Sequence, residues 1–456
     1  MAKSKTARVT TRNPWAWIPT LYFAEGIPYF IVNNISVLML AKMGVPNGQM
    51  ALFTSLLYLP WMIKPFWSPF VDVIKTKRWW ILAMEIIMAA AFVLLTLTIP
   101  FPSSEQIASG TTPISMFTIS LLLFVVTAFA SATHDIAADG FYMLALSTKN
   151  QATFVGIRST FYRLSSIFGQ GVLVYIAGTI ETHGFHFMGI NIEPNNIPMS
   201  WTICMGVSAV LFAAVTLWHT WALPRPASDK PNIEEGEKSS GAAIMKGFGR
   251  SFSTFFKKKG LWLAIIFMLL YRLPEAFLIK MCTPFLVAKQ EVGGLGLSTE
   301  NVGLVYGTVG VIFLTIGGIL GGIYASRVGL KKSLWVMAAF MTLPCLTFCY
   351  LAEVQPTNLW LISIAVSIEQ FGYGFGFTAY MLYMMYFSEG SFKTSHYAIC
   401  TAFMAMSMMI PGMFAGFLQE AMGYSLFFWM VIVCCAATLV VTYLADRKID
   451  PEYGLK

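Results

Sequence analysis

Charged residues are scarce in this chain. Only 11% of its 456 residues are Asp, Glu, Lys or Arg, whereas 57% are hydrophobic. A soluble globular domain carries about 25% charged residues, so this composition excludes that class of protein. Cysteine is also sparse, and the seven cysteines lie in apolar stretches without the spacing of a metal site. We interpret them as small buried side chains rather than as ligands.

Long apolar segments dominate instead. Most of them approach the ~20 residues that a helix needs to cross a bilayer. Because every backbone polar group in lipid needs a partner within its own segment, such stretches are predicted to be helical, and the fold class is an all-α integral membrane protein. Twelve are distinguished, numbered segments 1 to 12 in chain order: residues 15–40, 49–70, 79–100, 114–146, 153–178, 200–223, 261–288, 300–325, 333–351, 358–387, 395–418 and 424–445.

The distribution of Lys and Arg predicts the orientation of these segments. If the N-terminus is cytoplasmic, nearly all loop cations fall on the cytoplasmic side, and the opposite loops hold Lys42, Lys289 and seven glutamates. This bias follows the positive-inside rule and predicts that both termini are cytoplasmic. The net charge of +8 is therefore a topology signal, and no nucleic acid is expected as a partner.

One long polar stretch, residues 224–259, separates segment 6 from segment 7. It predicts a cytoplasmic loop between two six-helix bundles, residues 1–223 and 260–456. Within the loop, residues 242–256 are expected to form a short amphipathic helix on the membrane surface.

The two halves carry similar motifs after their second segments, that is, after segments 2 and 8. Basic turns occur at residues 68–78 and 321–332, and both resemble the short loop motif of the major facilitator superfamily. Asp72 and Arg327, with Lys64 two turns before Asp72, are therefore predicted to gate the cytoplasmic side. Anchoring of that face by the basic residues is an equally open interpretation.

Two carboxylates in segment 4 are the most informative polar residues of the chain. Asp135 and Asp139 are four residues apart, so they lie on one helical face. An ionised Asp near the bilayer centre costs roughly 2.5–3.5 kcal/mol, which indicates a watery cavity or basic partners around these two side chains. We expect them to bind and release a coupling proton.

Other segments carry polar residues near mid-depth. Arg163 needs an anionic partner or substrate there, because a guanidinium stays charged. Arg272 and Glu275 share one face beside Pro274. The predicted cavity residues of segments 1, 5, 7 and 10 are Tyr22, Glu25, Tyr29, Arg163, Gln170, Arg272, Glu275, Glu369, Tyr373 and Tyr380.

Structural interpretations of these residues stay open. Arg272 and Glu275 form a pair that can neutralise itself within one helix, and the tyrosine stripes are compatible with ordinary helix packing. Lys64 is close enough to a helix end to snorkel to the interface, where Glu85 is also expected to lie.

Several motifs resemble the peptide/acetyl-coenzyme A transporter family of the major facilitator superfamily. The resemblance covers nearly the whole chain, and two motifs near the C-terminus are similar to its AmpG-type muropeptide permeases. The motifs are Glu25–Pro28, Lys64–Asp72, Ala132–Gly140, Tyr162–Arg163 and, for the AmpG branch, Ser395–Ile399 and Ala415–Tyr424.

The resemblance implies a fold of twelve helices in two six-helix bundles around a central cavity. It also implies alternating-access import of N-acetylglucosaminyl-1,6-anhydro-N-acetylmuramyl peptides from periplasm to cytoplasm, driven by protons, across the bacterial inner membrane. Glu25 and Glu275 depart from the pattern of the AmpG branch by adding carboxylates. Uptake of a siderophore, another glycopeptide or an acyl-coenzyme A-like solute is therefore kept as an alternative.

Within that scheme each candidate residue has an expected role. Asp135, Asp139, Glu25 and Glu369 couple protons. Arg163 pairs with the two aspartates in one state, and Arg272 holds a substrate carboxylate. The four tyrosines, Tyr22, Tyr29, Tyr373 and Tyr380, stack on sugar rings.

Two rival function classes are considered. An intramembrane enzyme would use His134 and Asp135 as a general base and its orienter, but the sequence has no His-Glu-x-x-His pair, no nucleophile elbow and no nucleotide loop. A transporter-like sensor would bind without translocating. We expect a monomeric transporter without cofactor or metal, whose partners are the lipid bilayer, protons and a small to medium-sized glycopeptide.

Overall fold

The computed structural model describes residues 12–146, 148–187, 190–229, 249–250, 252–390, 393–451 and 453. Within them, eight helices are long and apolar enough to cross a membrane. Two of these, Thr299–Val354 and Ser395–Asp446, are 56 and 52 residues long. Both are about twice as long as a bilayer requires. Gly329 and Gly423 break them with φ of 78° and 75°, and each therefore contains two of the segments predicted from the sequence.

In the first half of the chain each predicted segment coincides with helix. Segment 2 is divided near Leu57, and segments 1 and 5 contain π turns. The bounds are Ile18–Phe30, Ile31–Ile35 (π) and Ser36–Lys42 for segment 1; Asn47–Leu56 and Leu59–Val73 for segment 2; Lys77–Thr98 for segment 3; Thr118–Ala145 for segment 4; Thr148–Ser166, Ile167–Leu173 (π) and Val174–His183 for segment 5; and Ile197–Ala222 for segment 6.

The second half repeats this arrangement. Segment 8 also contains a π turn, and segment 10 is one continuous helix. The bounds are Leu261–Leu270 and Leu273–Val287 for segment 7; Thr299–Val302, Gly303–Gly310 (π) and Val311–Thr342 from segment 8 into segment 9; Leu346–Val354 for the rest of segment 9; Leu359–Ser388 for segment 10; and Lys393–Asp446 for segments 11 and 12.

Short elements connect the segments. A two-stranded antiparallel hairpin, Phe185–Phe187 with Ile190–Ile192, follows segment 5. Short helical turns at Pro14–Ala16, Ser104–Ser109, Ile114–Phe117, Gln290–Val292 and Leu343–Cys345 complete the described elements. Most of the predicted amphipathic helix, residues 242–248 and 251, lies outside the described residues, while residues 252–256 are helical.

The halves meet tightly at the predicted outer end, which carries loops 43–46 and 288–298. Asn47 Nδ2 donates to Gln419 Oε1 at 2.7 Å and to Tyr424 Oη at 3.0 Å. Gly48 N donates to Glu420 Oε1 at 2.8 Å. These contacts join segment 2 to segments 11 and 12, and they hold the outer end shut.

Segments 5 and 8 complete this closure through their π turns. A Cβ added at Gly307 would lie 1.8 Å from the backbone oxygen of Gln170, so the two backbones are in direct contact. Thr299 Oγ1 donates to Glu181 Oε2 at 2.6 Å beyond the turns. Such close approach of helices depends on small residues, here glycines, at the interface.

A buried polar triad joins segments 3, 4 and 6 inside the first half. Glu85 Oε1 lies 2.5 Å from His219 Nδ1 and 3.3 Å from His134 Nε2, and all three side chains are fully buried. His219 Nε2 is 2.8 Å from Thr20 Oγ1. The expectation that Glu85 is interfacial is therefore wrong, because two histidines from segments 4 and 6 satisfy it inside the bundle.

Candidate substrate and proton site

Three carboxylates converge where segment 1 packs on segment 4. Glu25, Asp135 and Asp139 each present an oxygen within 4.8 Å of the others. The four-residue spacing of the aspartates stacks them one helical turn apart, and Glu25 faces them from segment 1. Each aspartate also has a basic partner, as its place in an apolar segment predicts.

Two cations, Lys64 and Arg158, accompany these carboxylates. We call the five residues together the carboxylate cluster. Lys64, from segment 2, forms an ion pair with Asp135. Arg158 Nη2, from segment 5, lies 2.6 Å from Asp139 Oδ1. Three acids thus share two bases. Lys64 belongs to this cluster rather than snorkelling to the interface.

Glu25 is the carboxylate of the cluster whose negative charge has the fewest partners in the described part of the chain. Its side chain is buried, and Oε2 has no hydrogen-bond partner among the described residues. Tyr22 Oη donates to Asp139 Oδ1 at 3.4 Å, and its ring lies 4.4 Å from Arg158 Cζ. The Tyr22 hydroxyl therefore serves Asp139, and one oxygen of Glu25 has no hydrogen-bond partner in the described structure. With two bases already in place, a proton fits the remaining charge better than a metal ion does.

A second cluster lies in the other half around Arg272. Its Nε and Nη2 donate to the two carboxylate oxygens of Glu275 at 2.9 and 2.8 Å. Nη2 also donates to Tyr373 Oη at 3.1 Å. The guanidinium lies over the rings of Phe377 and Tyr380, with centroids 4.6 and 5.6 Å from Cζ. The self-neutralising pair considered from the sequence is thus present in this conformation, enclosed by aromatic rings.

Arg163 does not contact the carboxylate cluster here. Its Nη1 donates to Thr315 Oγ1 at 3.4 Å, and its Nη2 would be 3.2 Å from a Cβ at Gly318. Both of these residues belong to segment 8. Gln170 donates to Ser166 at 2.8 Å, and its backbone packs on Gly307. Arg163 and Gln170 therefore bridge the halves, and Arg158 occupies the place expected for Arg163.

The four predicted tyrosines divide into two groups. Tyr29 and Tyr373 are half-buried, and both interact electrostatically with Arg272. Tyr22 and Tyr380 are buried. Tyr380 Oη donates to Met268 O at 2.7 Å, which ties it to the packing of its own half.

Tyr162, which the sequence shows only as part of the Tyr162–Arg163 motif, is a further half-buried tyrosine of segment 5. It interacts electrostatically with Glu25 and Asp135 of the carboxylate cluster and with Tyr373 beside Arg272. Tyr162 follows Arg158 by four residues on one helix, and this spacing indicates that the two side chains lie on the same face.

Glu369 is buried in segment 10 and accepts a hydrogen bond from Gln370 Nε2 at 2.8 Å. It is separate from the carboxylate cluster and close to segment 7. Of the proposed gating residues, Arg327 is exposed just before the break at Gly329. The side chain of Asp72 lies outside what the structure describes.

His134 is turned away from the residue that follows it. Its Nε2 contacts Glu85, and its Nδ1 has no hydrogen-bond partner in the described structure. The imidazole is fully buried. The pairing of His134 with Asp135 as base and orienter, considered for an enzyme, is therefore wrong.

Comparison with known proteins agrees with this architecture. A family model described as Major Facilitator Superfamily matches residues 20–390. The anhydromuropeptide permease of Escherichia coli (strain K12) is 23% identical over 438 residues, which cover 94% of this chain and 79% of that protein. These matches confirm the predicted fold class.

Two solved structures have a similar fold. A bacterial homologue of the human lysosomal transporter Spinster gives a TM-score of 0.66 at 16% identity, covering 95% of this chain and 96% of its own. A variant of the nucleoside transporter NupG gives 0.65 at 14% identity, with 94% and 98% covered. All three of these similar proteins are transporters rather than enzymes.

Proposed function

Because this chain belongs to the Major Facilitator Superfamily, we propose that it imports anhydro-muropeptides by alternating access, coupled to protons. It lies in the bacterial inner membrane with both termini in the cytoplasm, as the loop cations favour. Two bundles, residues 1–223 and 260–456, rock around the central chamber and are linked by loop 224–259. The name of the Escherichia coli relative, anhydromuropeptide permease, supports the class of substrate.

The charge balance of the carboxylate cluster is the observation that carries proton coupling. Among the described residues, three carboxylates within 4.8 Å of one another form ion pairs with two cations, Lys64 and Arg158. A carboxylate left without a counter-charge away from water is more stable with a proton bound. Glu25, with its unpartnered oxygen, is the site where that proton resides in this conformation, and Asp135 and Asp139 share it as the halves move. Glu369 is a second buried acid that gains and loses a proton.

The chamber between the clusters suits a ligand with sugar rings and carboxylates. Tyr29, Tyr162 and Tyr373 offer aromatic faces, and carbohydrate rings pack on such faces. Arg272 is held by Glu275 in the present state. A substrate carboxylate replaces Glu275 on the guanidinium in another state, so binding of substrate and release of Glu275 are coupled.

The closed outer end supports a state open toward the cytoplasm. The side chains of Lys64 and Asp139 are 27% and 42% exposed, whereas Asn47 and Gly48 are hydrogen-bonded to the other half at the outer end. Asp72, Lys64 and Arg327 gate the cytoplasmic side, and Tyr22 and Tyr380 become available to sugar rings only when their halves rearrange. Arg163 and Gln170 meet the substrate when segments 5 and 8 separate.

Uptake by proteoliposomes tests this proposal. Labelled anhydro-muropeptide should accumulate under an inward proton gradient, and a protonophore should abolish the accumulation. Asp135→Asn should remove gradient-driven uptake while the protein inserts normally, and Asp446→Asn, at the end of segment 12, is the matched control. Accumulation that ignores the protonophore, or full gradient-driven uptake by Asp135→Asn, would overturn proton coupling through this cluster.

A further inference from the structure

A small cavity lies between the two halves on the outer side of Arg272. It is lined by Asn33, Tyr58, Lys280 and Tyr306, which come from segments 1, 2, 7 and 8. Its volume is about 20 Å³, which is enough for about one water molecule. Both halves of the chain supply its walls, so its size depends on how the halves are arranged.

Lys280 is the unusual member of this lining. Its side chain is 6% exposed, and Nζ has no hydrogen-bond partner in the described structure. The ion pairs found between described residues do not include it. A buried ammonium without a counter-charge costs several kcal/mol, so a residue of this kind indicates a ligand that supplies the missing charge.

Other polar atoms around the cavity are also unsatisfied. Asn33 Oδ1 and Ser55 Oγ are buried and have no hydrogen-bond partner among the described residues. Ser55 and Lys280 flank Gly412 of segment 11, where an added Cβ would lie 2.5 Å from Ser55 Oγ and 3.7 Å from Lys280 Cε. The Ser55 hydroxyl and the Lys280 ammonium are both donors, and together they are suited to one carboxylate, whose oxygens accept several hydrogen bonds at once. Asn33 Oδ1 is an acceptor, and its own Nδ2 donates to Tyr29 O at 3.0 Å.

We propose that Lys280 binds a peptide carboxylate of the substrate in an entry subsite between the halves. The inference rests on the proposed function and gives a role to a cation that belongs neither to the carboxylate cluster nor to the Arg272 cluster. Arg272 cannot serve this end of the ligand at the same time, because Glu275 already occupies its guanidinium. The ammonium of Lys280 has no such partner in the described part of the chain.

The position of Lys280 explains why the subsite belongs to entry. Lys280 lies eight residues beyond Arg272 toward the predicted outer end of segment 7. The elements beside it, segments 2 and 11, are those that close the outer end through Asn47 and Gln419. Separation of these two segments therefore opens the Lys280 cavity to the outside before it opens the deeper Arg272 cluster.

The test compares two ligands that differ in charge alone. Counterflow in proteoliposomes is measured with an anhydro-muropeptide and with the same compound whose peptide carboxylates are amidated. The wild-type protein should prefer the acid, and Lys280→Met should reduce that preference about 10- to 100-fold, as expected for a hydrogen bond between charged groups. Lys280→Arg should keep part of the preference. Lys259→Met, an exposed lysine before segment 7, is the matched control.

The outcomes separate the two proposals. If the wild-type protein carries neither ligand, the proposed function fails, and this subsite fails with it. If the wild-type protein prefers the acid and Lys280→Met keeps the same preference, only the assignment of Lys280 is overturned. Thermal unfolding without ligand is the control for correct folding. The Tm of Lys280→Met should be no lower than that of the wild-type protein, because the substitution removes an unpaired buried charge.

Discussion

Arg158 holds Asp139 through a contact of 2.6 Å, and Arg163, five residues further along the same helix, reaches Thr315 in the other half. Five residues on a helix turn the side chain by about 140°. The two arginines therefore serve different partners, one inside the first half and one across the interface between the halves. This division leads to a prediction that separates their roles.

Arg158→Gln should impair proton-driven uptake more than counterflow, because it unbalances the carboxylate cluster without touching the interface between the halves. Arg163→Gln should reduce both activities to a similar extent. The Arg158–Asp139 pair is partly exposed, so its loss should cost only about 1 kcal/mol of stability. Parallel uptake and counterflow assays measure the difference, and equal profiles for the two variants would contradict it.

Glu85→Gln should destabilise the first half. The substitution removes the charge shared by His134 and His219 in a fully buried triad, and breaking a buried pair typically costs about 3–5 kcal/mol. Thermal unfolding in detergent should show a clear drop in Tm, whereas Glu193→Gln, on an exposed loop, should leave Tm nearly unchanged. A Tm equal to that of the wild-type protein would show that the triad contributes little.

Gly307→Val should keep the outer end from closing. A Cβ at this position would meet the Gln170 backbone at 1.8 Å, and backbone cannot yield as a flexible side chain does. Spin labels on Ser109 and Glu291, both exposed in outer loops of opposite halves, should then report a longer distance than in the wild-type protein. Transport should be lost.

Gly322→Val is the control for that experiment, because a Cβ at Gly322 meets no atom within 4 Å. It should preserve both the distance between the labels and the transport rate. An unchanged label distance in Gly307→Val, with the protein folded, would show that segments 5 and 8 close by another contact.

The fold could be predicted from the sequence because hydrophobic length constrains it strongly. The twelve apolar segments coincide with helices, and the breaks that separate segments 8 from 9 and 11 from 12 fall at Gly329 and Gly423. Eight helices, two of which contain these breaks, are long and apolar enough to cross a membrane in the described residues. These eight helices do not include segments 2 and 10. Segment 2 is divided near Leu57, and the helix of segment 10 contains the polar pair Glu369 and Gln370.

The pairing of charges could not be predicted in the same way. Spacing places Asp135 and Asp139 on one face, but it does not say which arginine of segment 5 faces them, since that depends on the rotation of one packed helix against another. Glu85 was assigned to the interface from its distance to a segment end, and two histidines remote in sequence reverse that assignment.

Lys280 was missed although a signal was present. It is a lone basic residue inside an apolar segment, and such residues are functional candidates by default. Its neighbours Asn33 and Ser55 come from other segments, so only the assembled fold shows that the ammonium lacks a partner.

The uneven charge of the carboxylate cluster bears on the energy source of transport. With one proton bound, three acids and two bases sum to zero, and reorientation moves no net charge across the bilayer. Without that proton the cluster carries one negative charge, and moving it across a potential of 100 mV is worth about 2.3 kcal/mol. Under the proposed proton coupling, an inside-negative voltage favours return of the empty carrier to its outward state, so that the electrical part of the proton-motive force acts on resetting rather than on loading.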